Sequence, residues 1–529
     1  MTLQEYLKLR NGTDVRGVAC EGIEGEDVTL TEEAVKTIAK AFCVWLISRT
    51  GKTKVTIAVG YDSRITSPAL CEAVVSGITE TGHDVVVTGL SSTPSMFMLL
   101  KDEKRQAEHY CHGSIMITAS HLPFNRNGLK FFYQNGGLES TDVQEILQLC
   151  SNYRFAEVNE AGARLELPYL DEYALSLVEK VRTATGEETP LLGKRIIVDA
   201  GNGAGGFFAD KVLAPLGADT TGSQFLDPDG TFPNHIPNPE NKQAMASVCE
   251  AVKKANADFG IIFDTDVDRA GAVDKDGTEI NRNRLIALIS AILLSERAGT
   301  IVTDSVTSDG LAKFIKANGG KHLRFKRGYK NVINEAIRLN EHGEYSPLAI
   351  ETSGHAALLE NYFLDDGAYL ITRLLIALAK ASKEGKNLTD LIADLEMPAE
   401  ERELRVNFKR GCDFKALGKV LISDFKAYAQ NLYYATPAED NYEGYRLSYD
   451  THHGNGWALI RLSLHDPVLP INVESDSVGG SIKIVKDLYY FLRNYDFLDL
   501  TPFTVAIDSW REEKKAQLKV KFKGYGKRK

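Results

Sequence analysis

No two cysteines in this sequence are spaced as C-x-x-C, and the seven present, at positions 20, 43, 71, 111, 150, 249 and 412, are scattered and odd in number. That argues against a zinc ribbon and a small disulfide framework, and it predicts a reducing compartment, the cytoplasm. Long apolar runs are also missing. A bilayer span needs roughly 18 such residues; the run LIALISAILL (285–294) falls short and reads as a core helix. The opening MTLQEYLKLRNGTD carries acidic residues and no apolar stretch of signal-peptide type. Positive charge is not in excess: 62 Lys and Arg stand against 72 Asp and Glu, a net charge of -10, so neither a nucleic acid nor a membrane partner is expected. The local exception, REEKKAQLKVKFKGYGKRK (511–529), reads as a solvated tail or edge strand, with RNA or membrane contact as the alternative.

What is present is the balance of a globular protein. The chain has 529 residues, 43% hydrophobic and 25% charged, enough for three or four domains. One pattern occurs three times. KVTIAVGYDSR (54–64), KRIIVDAGNGAGG (194–206) and GTIVTDSVTSDG (299–310) are β-branched runs that end in polar turns. Each precedes a helical stretch closed by glycine: PALCEAVVSGITETG, FFADKVLAPLG and LAKFIKANGG. A second strand candidate follows (DVVVTGL, DTTGSQF, KHLRFKRG), and then a third (SIMIT, FGIIF, PLAI). Alternating strands and helices predict an α/β fold: three similar α/β domains around a shared cleft. The strands YRLSYD, GWALIRLSL and LPINVES mark a smaller C-terminal α+β domain. The expected boundaries are 1–166, 167–297, 298–399 and 400–529.

Ligands of α/β sheets gather beyond the carboxyl ends of strands. Three loops stand there: TASHLP, DTDVDR and ETSGH. In DTDVDR, the carboxylates Asp264, Asp266 and Asp268 alternate and repel one another unless a hard cation sits among them. An EF-hand is excluded, because Arg269 and Lys275 occupy the positions of its glycine and its glutamate. So few ligands leave room for water and a phosphate, which suits Mg²⁺. Ser120 in TASHLPFNRNGLK lacks a G-x-S-x-G elbow, so a hydrolase triad is not indicated. A phosphorylated serine beside a divalent cation is the better reading. ETSGH offers Glu351, Ser353 and His355 to vicinal sugar hydroxyls. In IRLSLHDP, Arg461 and Ser463 form a phosphate grip. GNGAGG contains G-x-G-x-x-G (Gly201, Gly203, Gly206), a weak dinucleotide signal that reads better as a tight strand–helix turn.

Taken in order, TASH–P, D-x-D-x-D-R, E-x-S-G-H and R-x-S resemble the α-D-phosphohexomutase superfamily, and NGTDVRG (11–17) is similar to its N-terminal signature. ETSGH places the chain closest to the phosphoglucomutase/phosphomannomutase group. The resemblance covers Gly12 to about Glu474. It implies that Ser120 is a phosphoserine which, with Asp264, Asp266 and Asp268, holds Mg²⁺. His121, Arg16, Lys130 and Arg269 would surround the transferring phosphoryl group, with Lys130 helping to move the hydroxyl proton. Glu351 and Ser353 would grip the sugar O3 and O4, with His355 beside them. Gly328 and Tyr329 would read the hexose orientation, and Arg461 and Ser463 would hold the non-reacting phosphate. The implied reaction interconverts hexose 1-phosphate and hexose 6-phosphate, of glucose or mannose, through a hexose 1,6-bisphosphate that also serves as activator. The chain departs from the family pattern at Leu122 and at Leu464, His465 and Asp466. Competing readings are a phosphoglucosamine or phosphoacetylglucosamine mutase, a non-catalytic sugar-phosphate sensor, and an NAD-dependent oxidoreductase resting on GNGAGG alone.

Overall fold

The computed structural model describes every residue except 156–157, 464–465 and 526–529, and the side chains of 516–525. Leu464 and His465, two of the departures in the phosphate loop, thus lie outside the described residues. The chain forms two compact units, Met1–Ile292 with Ser353–Leu391 and Leu293–Thr352 with Ile392–Lys529.

In the first unit a large mixed sheet runs in the order Arg10–Asn11, Asp14–Val18, Arg126–Tyr133, Gly113–Ile117, Thr56–Tyr61, Asp84–Leu90, Arg164–Glu166. Thr56–Tyr61 pairs in parallel with both of its neighbours, and Gly113–Ile117 is fully buried. Burial on both faces is why these strands read as continuous apolar runs rather than alternating ones. The helix Glu32–Thr50 starts at Thr31, whose hydroxyl accepts from the Ala34 N–H, and stops at Gly51 with φ 66. It buries Ile38, Phe42, Trp45 and Leu46, each contributing about 1.5–3 kcal/mol. Its neighbour Ser67–Thr79 approaches closely at Gly77, where a Cβ would stand 2.4 Å from the Lys36 carbonyl. Any larger residue there would force the two helices apart.

A smaller sheet follows. Phe259–Phe263 lies between Ile196–Asp199, parallel to it, and Ala270–Asp274, antiparallel. DTDVDR is therefore the turn between two paired, buried strands. Two sequence expectations fail here. DTTGSQF forms no strand, only isolated bridges at Asp219 and Gln224, because Gly217 and Gly222 take positive φ and turn the chain away. FFADKVLAPLG is no regular α-helix but a short π-helix, Phe208–Leu213.

In the second unit Thr300–Asp304 lies between Lys321–Phe325 and Leu348–Ile350, all parallel. A six-stranded sheet in the order Ala435–Pro437, Tyr445–Tyr449, Gly456–Ile460, Val468–Ser475, Glu400–Phe408, Leu498–Asp499 packs Leu404, Val406, Ile471 and Val473 against Leu421, Phe425 and Leu488. Leu404, Val406 and Phe408 alternate with exposed residues, the pattern of a half-buried strand. This is the expected C-terminal α+β region. The described part of the basic segment expected as a tail or edge strand, 511–525, belongs to a helix, Thr501–Tyr525; lysine is a good helix former, and a charge run does not exclude one. LIALISAILL is the buried core of the helix Asn283–Glu296. Among the described residues, no helix is long and apolar enough to cross a membrane.

Candidate active site

Ser120 follows directly from the buried strand Gly113–Ile117. Its N–H donates to the Thr118 hydroxyl at 2.9 Å. It adopts φ 52, the left-handed region, which costs a non-glycine residue roughly 1–2 kcal/mol. This conformation presents Oγ to three partners. Ser120 Oγ donates to Asp264 Oδ2 at 3.1 Å, lies 3.2 Å from His121 Nδ1, and accepts from Arg269 Nη2 at 3.3 Å. The hydroxyl thus touches the acidic loop from the second sheet.

Asp264, Asp266 and Asp268 are buried at 0, 0 and 3% exposure. They bring one carboxylate oxygen each within 4.8 Å of one another. Lys130 reaches in from the strand Arg126–Tyr133, donating to Asp266 Oδ2 at 2.8 Å and to Asp268 Oδ2 at 2.5 Å. Arg269 Nε donates to Asp264 Oδ2 at 3.1 Å, and Thr93 Oγ1 to Asp266 Oδ2 at 2.5 Å. Three carboxylates thus face the Lys130 and Arg269 cations, with His355 beside Asp268. Burial and the charges of Asp268 and Asp266 push the Asp264 carboxyl well above its ordinary value. Burial alone would raise Asp268 too, but Lys130, His355 and Arg269 outweigh it and hold that carboxyl well below the usual range. Oδ1 of both Asp266 and Asp268 is buried and accepts no hydrogen bond among the described residues. Three buried carboxylates grouped at this spacing, two of them with an oxygen left unbonded, fit a hard divalent cation.

Two histidines complete this site with opposite charge states. Burial, then Arg269, Arg16 and His355, push His121 down to about 2, so it is neutral. Burial opposes the charging of His355, but Asp365 and Asp268 raise it to about 9, so it is an imidazolium. His355 Nδ1 contacts Asp365 Oδ2 and lies 4.0 Å from Asp268 Oδ1. Gly354, at φ 92, lets this segment run beside Arg269 and Ala270; a Cβ there would stand 3.0 Å from the Ala270 carbonyl. Arg16, on the strand Asp14–Val18, pairs with Asp14 at 2.9 Å. Ser353 is buried at 7% exposure. Sequence reasoning missed Asp365 and Thr93; neither stands in a recognisable pattern with the residues it touches.

The glycines of GNGAGG serve packing. A Cβ at Gly203 would lie 2.7 Å from the Thr265 carbonyl, and one at Gly206 2.2 Å from the Leu226 carbonyl. Ala204 N–H donates to the Thr265 carbonyl at 2.8 Å. This turn buttresses the acidic loop, which accounts for its glycines without a dinucleotide.

In the second unit, Gly328, at φ 113, donates its N–H to Glu351 Oε1 at 2.6 Å. That bond joins the turn before the helix Tyr329–Glu341 to the start of ETSGH. Arg461 follows the strand Gly456–Ile460 and is 9% exposed. Its Nε has no hydrogen-bond partner among the described residues. Burial lowers its pKa, and the charge of Arg327 lowers it further. Ser463 Oγ accepts from the Asp466 N–H at 3.2 Å.

Family models for phosphoglucomutase/phosphomannomutase α/β/α domains I, II and III match residues 8–157, 171–277 and 281–397. The chain belongs to the phosphoglucomutase/phosphomannomutase family of enzymes. A phosphoglucomutase of Neisseria meningitidis serogroup A is 30% identical over 474 residues, 89% of this chain and 94% of that protein. A phosphomannomutase/phosphoglucomutase of Pseudomonas putida is 29% identical over 482 residues, 90% and 93% of the two chains. The crystal structure of a phosphoglucomutase/phosphomannomutase family protein from Burkholderia thailandensis superposes with a TM-score of 0.75 at 27% identity, covering 93% of this chain and 97% of that one. As a family member, the chain has three α/β/α domains and a C-terminal sheet-and-helix domain.

Proposed function

We propose that this protein is a phosphohexomutase that interconverts the 1- and 6-phosphates of glucose and mannose through a phosphorylated Ser120. The observation that carries the reading is the Ser120 hydroxyl on the Asp264 carboxylate at 3.1 Å, with Arg269, His121 and Lys130 around the same loops. The family membership and the activities named for its relatives support it. Asp264, Asp266 and Asp268 would hold Mg²⁺, which when bound neutralises charge on the transferring phosphoryl group.

The residues of the chain do the rest. A hydroxyl of the hexose monophosphate attacks the phosphorus on Ser120, and the P–Oγ bond breaks. The hydroxyl proton passes by way of Lys130 to the departing serine oxygen. Arg269 and Arg16 stabilise charge on the phosphoryl oxygens, and neutral His121 donates a hydrogen bond to them. The resulting 1,6-bisphosphate turns around and returns its other phosphate to Ser120; added bisphosphate primes an unphosphorylated enzyme in the same way. Glu351 and Ser353 grip O3 and O4, with His355 beside them. Gly328 and Tyr329 read orientation, and Arg461 and Ser463 hold the idle phosphate. The reading assigns the serine loop to 1–166, the metal loop to 167–297, the sugar loop to 298–399 and the phosphate loop to 400–529. We place the enzyme in the cytoplasm, in keeping with its seven free cysteines. Coupled assay of glucose 6-phosphate formed from glucose 1-phosphate, with Mg²⁺ and glucose 1,6-bisphosphate, tests the proposal. Wild type should turn over and Ser120→Ala should not; equal rates would refute it.

A further inference from the structure

We propose that Arg64 is a positioning residue that holds the Ser120 loop in the shape from which phosphate is transferred; this rests on Ser120 being the phosphate carrier. Arg64 ends GYDSR, the turn after the first recurring strand, and its side chain is 0% exposed. Its guanidinium sits inside the serine loop. Nη1 donates to the carbonyls of Pro123 at 2.8 Å and Arg126 at 2.9 Å. Nη2 donates to the carbonyl of Leu122 at 2.7 Å and to that of Ser120 itself. Nε faces Asp62 Oδ2 at 3.4 Å. Four N–H groups of the fork therefore donate to backbone carbonyls, while Nε is ion-paired with Asp62 without a hydrogen bond.

The loop is built around this cation. Four carbonyls of residues 120–126 turn inward to this one buried fork of donors, which serves them together; the Pro123 carbonyl also accepts the Arg126 N–H at 3.0 Å. One of those carbonyls belongs to the residue at φ 52. A non-glycine residue in that conformation persists only where the surroundings over-determine it, and Arg64 supplies the determinant on its carbonyl side.

Arg64 is itself fixed from three directions. Asp62 Oδ1 accepts the Arg64 N–H at 3.0 Å and the Ser67 hydroxyl at 3.1 Å. The Asp62 N–H donates to the Ile117 carbonyl at 3.1 Å, tying the turn to the strand that leads into Ser120. From the second α/β domain the segment DPDGTFP (227–233) closes over it. The Phe232 ring lies 5.2 Å from the guanidinium carbon, and Gly230 packs so closely that a Cβ would stand 2.4 Å from the Ile65 nitrogen. Arg64 therefore couples the serine loop to the domain that carries the acidic loop, and Ser120 Oγ is held against Asp264 from both ends.

The chemistry of the substitution follows. Lysine keeps the charge but offers three N–H groups from one atom, so it cannot serve four carbonyls spread over a planar fork. Displacing a reacting group by about 1 Å costs about 100-fold in rate. The experiment compares wild type, Arg64→Lys and Arg64→Ala. For each, kcat, KM for glucose 1-phosphate, the rate of Ser120 phosphorylation by glucose 1,6-bisphosphate followed by mass spectrometry, and the far-UV circular dichroism melt are measured. Arg64→Lys should keep the wild-type KM within about twofold and lose about 100-fold in both kcat and serine phosphorylation. Methylguanidinium at non-denaturing concentration should restore part of the lost rate in Arg64→Ala. Wild-type phosphorylation and turnover in Arg64→Lys would overturn the proposal. So would a loss confined to KM, or unfolding of both variants without guanidinium rescue. If wild type turns over with no phosphate on Ser120, the functional reading itself falls, and the Arg64 role with it.

Discussion

Lys130→Met removes the cation that bridges two of the three buried carboxylates. Lys130 is 6% exposed, and its partners Asp266 and Asp268 are 0% and 3% exposed, so solvent screens the pairs little. At an effective dielectric of about 20, opposite unit charges at the 2.8 Å separation of Lys130 and Asp266 attract by about 6 kcal/mol. Desolvation of the ions offsets most of that attraction. Breaking a buried pair nevertheless leaves an uncompensated charge, at a cost of about 3–5 kcal/mol. The loss should be local. Without Mg²⁺, amide protection in Phe259–Phe263 and Ala270–Asp274 should drop by about two to four powers of ten. A divalent ion replaces the lost charge, and at about a hundred times its Kd it restores about 2.7 kcal/mol. Hydrogen exchange with and without Mg²⁺ reads both effects. Turnover should fall about 10²–10⁴-fold even with the ion bound, because the proton relay is gone. Unchanged protection without Mg²⁺, or turnover near wild type, would refute the reasoning.

Gly203→Ala places a Cβ 2.7 Å from the Thr265 carbonyl; the acidic loop must move, and titration of activity should show a higher Mg²⁺ requirement at little change in KM for sugar. His235 is bonded to Asp199 at 3.0 Å, and although burial opposes it, that carboxylate raises the imidazole pKa. A raised folded-state pKa stabilises fully below the unfolded value of about 6.5 and is lost as pH rises through the folded value, so denaturant melts should find His235→Gln more harmful at mildly acidic pH than at alkaline pH. On the proposed grip, galactose 1-phosphate, which differs from glucose 1-phosphate at O4, would cost Glu351 or Ser353 its bond to the sugar, about 1–3 kcal/mol; kcat/KM should be about 10–100-fold lower, and parity with glucose would remove the O4 contact.

The parts of this site legible in the sequence are those whose chemistry is local. Asp264, Asp266 and Asp268 announce themselves by spacing, and Ser120 by standing where a buried strand breaks into a polar loop. Fold class was legible because strand burial and helix stops leave short-range patterns. What stayed hidden depends on distant partners. Arg64 reads as an ordinary turn residue until the carbonyls 56–62 residues away fold around it. Asp365 lies only 10 residues from His355, yet what joins them is a contact made by folding, not a motif. The residues of GNGAGG were visible and read as a tight strand–helix turn, though the pattern alone is ambiguous, since close backbone packing and dinucleotide binding ask for glycine for the same steric reason. The π-helix Phe208–Leu213 is not signalled by any pattern in FFADKVL. The C-terminal helix was missed because its lysines were weighed as charge and not as helix formers.

The central claim is that Ser120 carries the phosphoryl group. Enzyme incubated with glucose 1,6-bisphosphate, freed of excess reagent and digested, should give a peptide spanning Ser120 that bears one phosphate. Mixed in a single turnover with glucose 1-phosphate, the same enzyme should transfer that phosphate to sugar at least as fast as kcat. An active enzyme whose Ser120 peptide stays unmodified, or whose phosphate leaves Ser120 more slowly than turnover, would contradict the account.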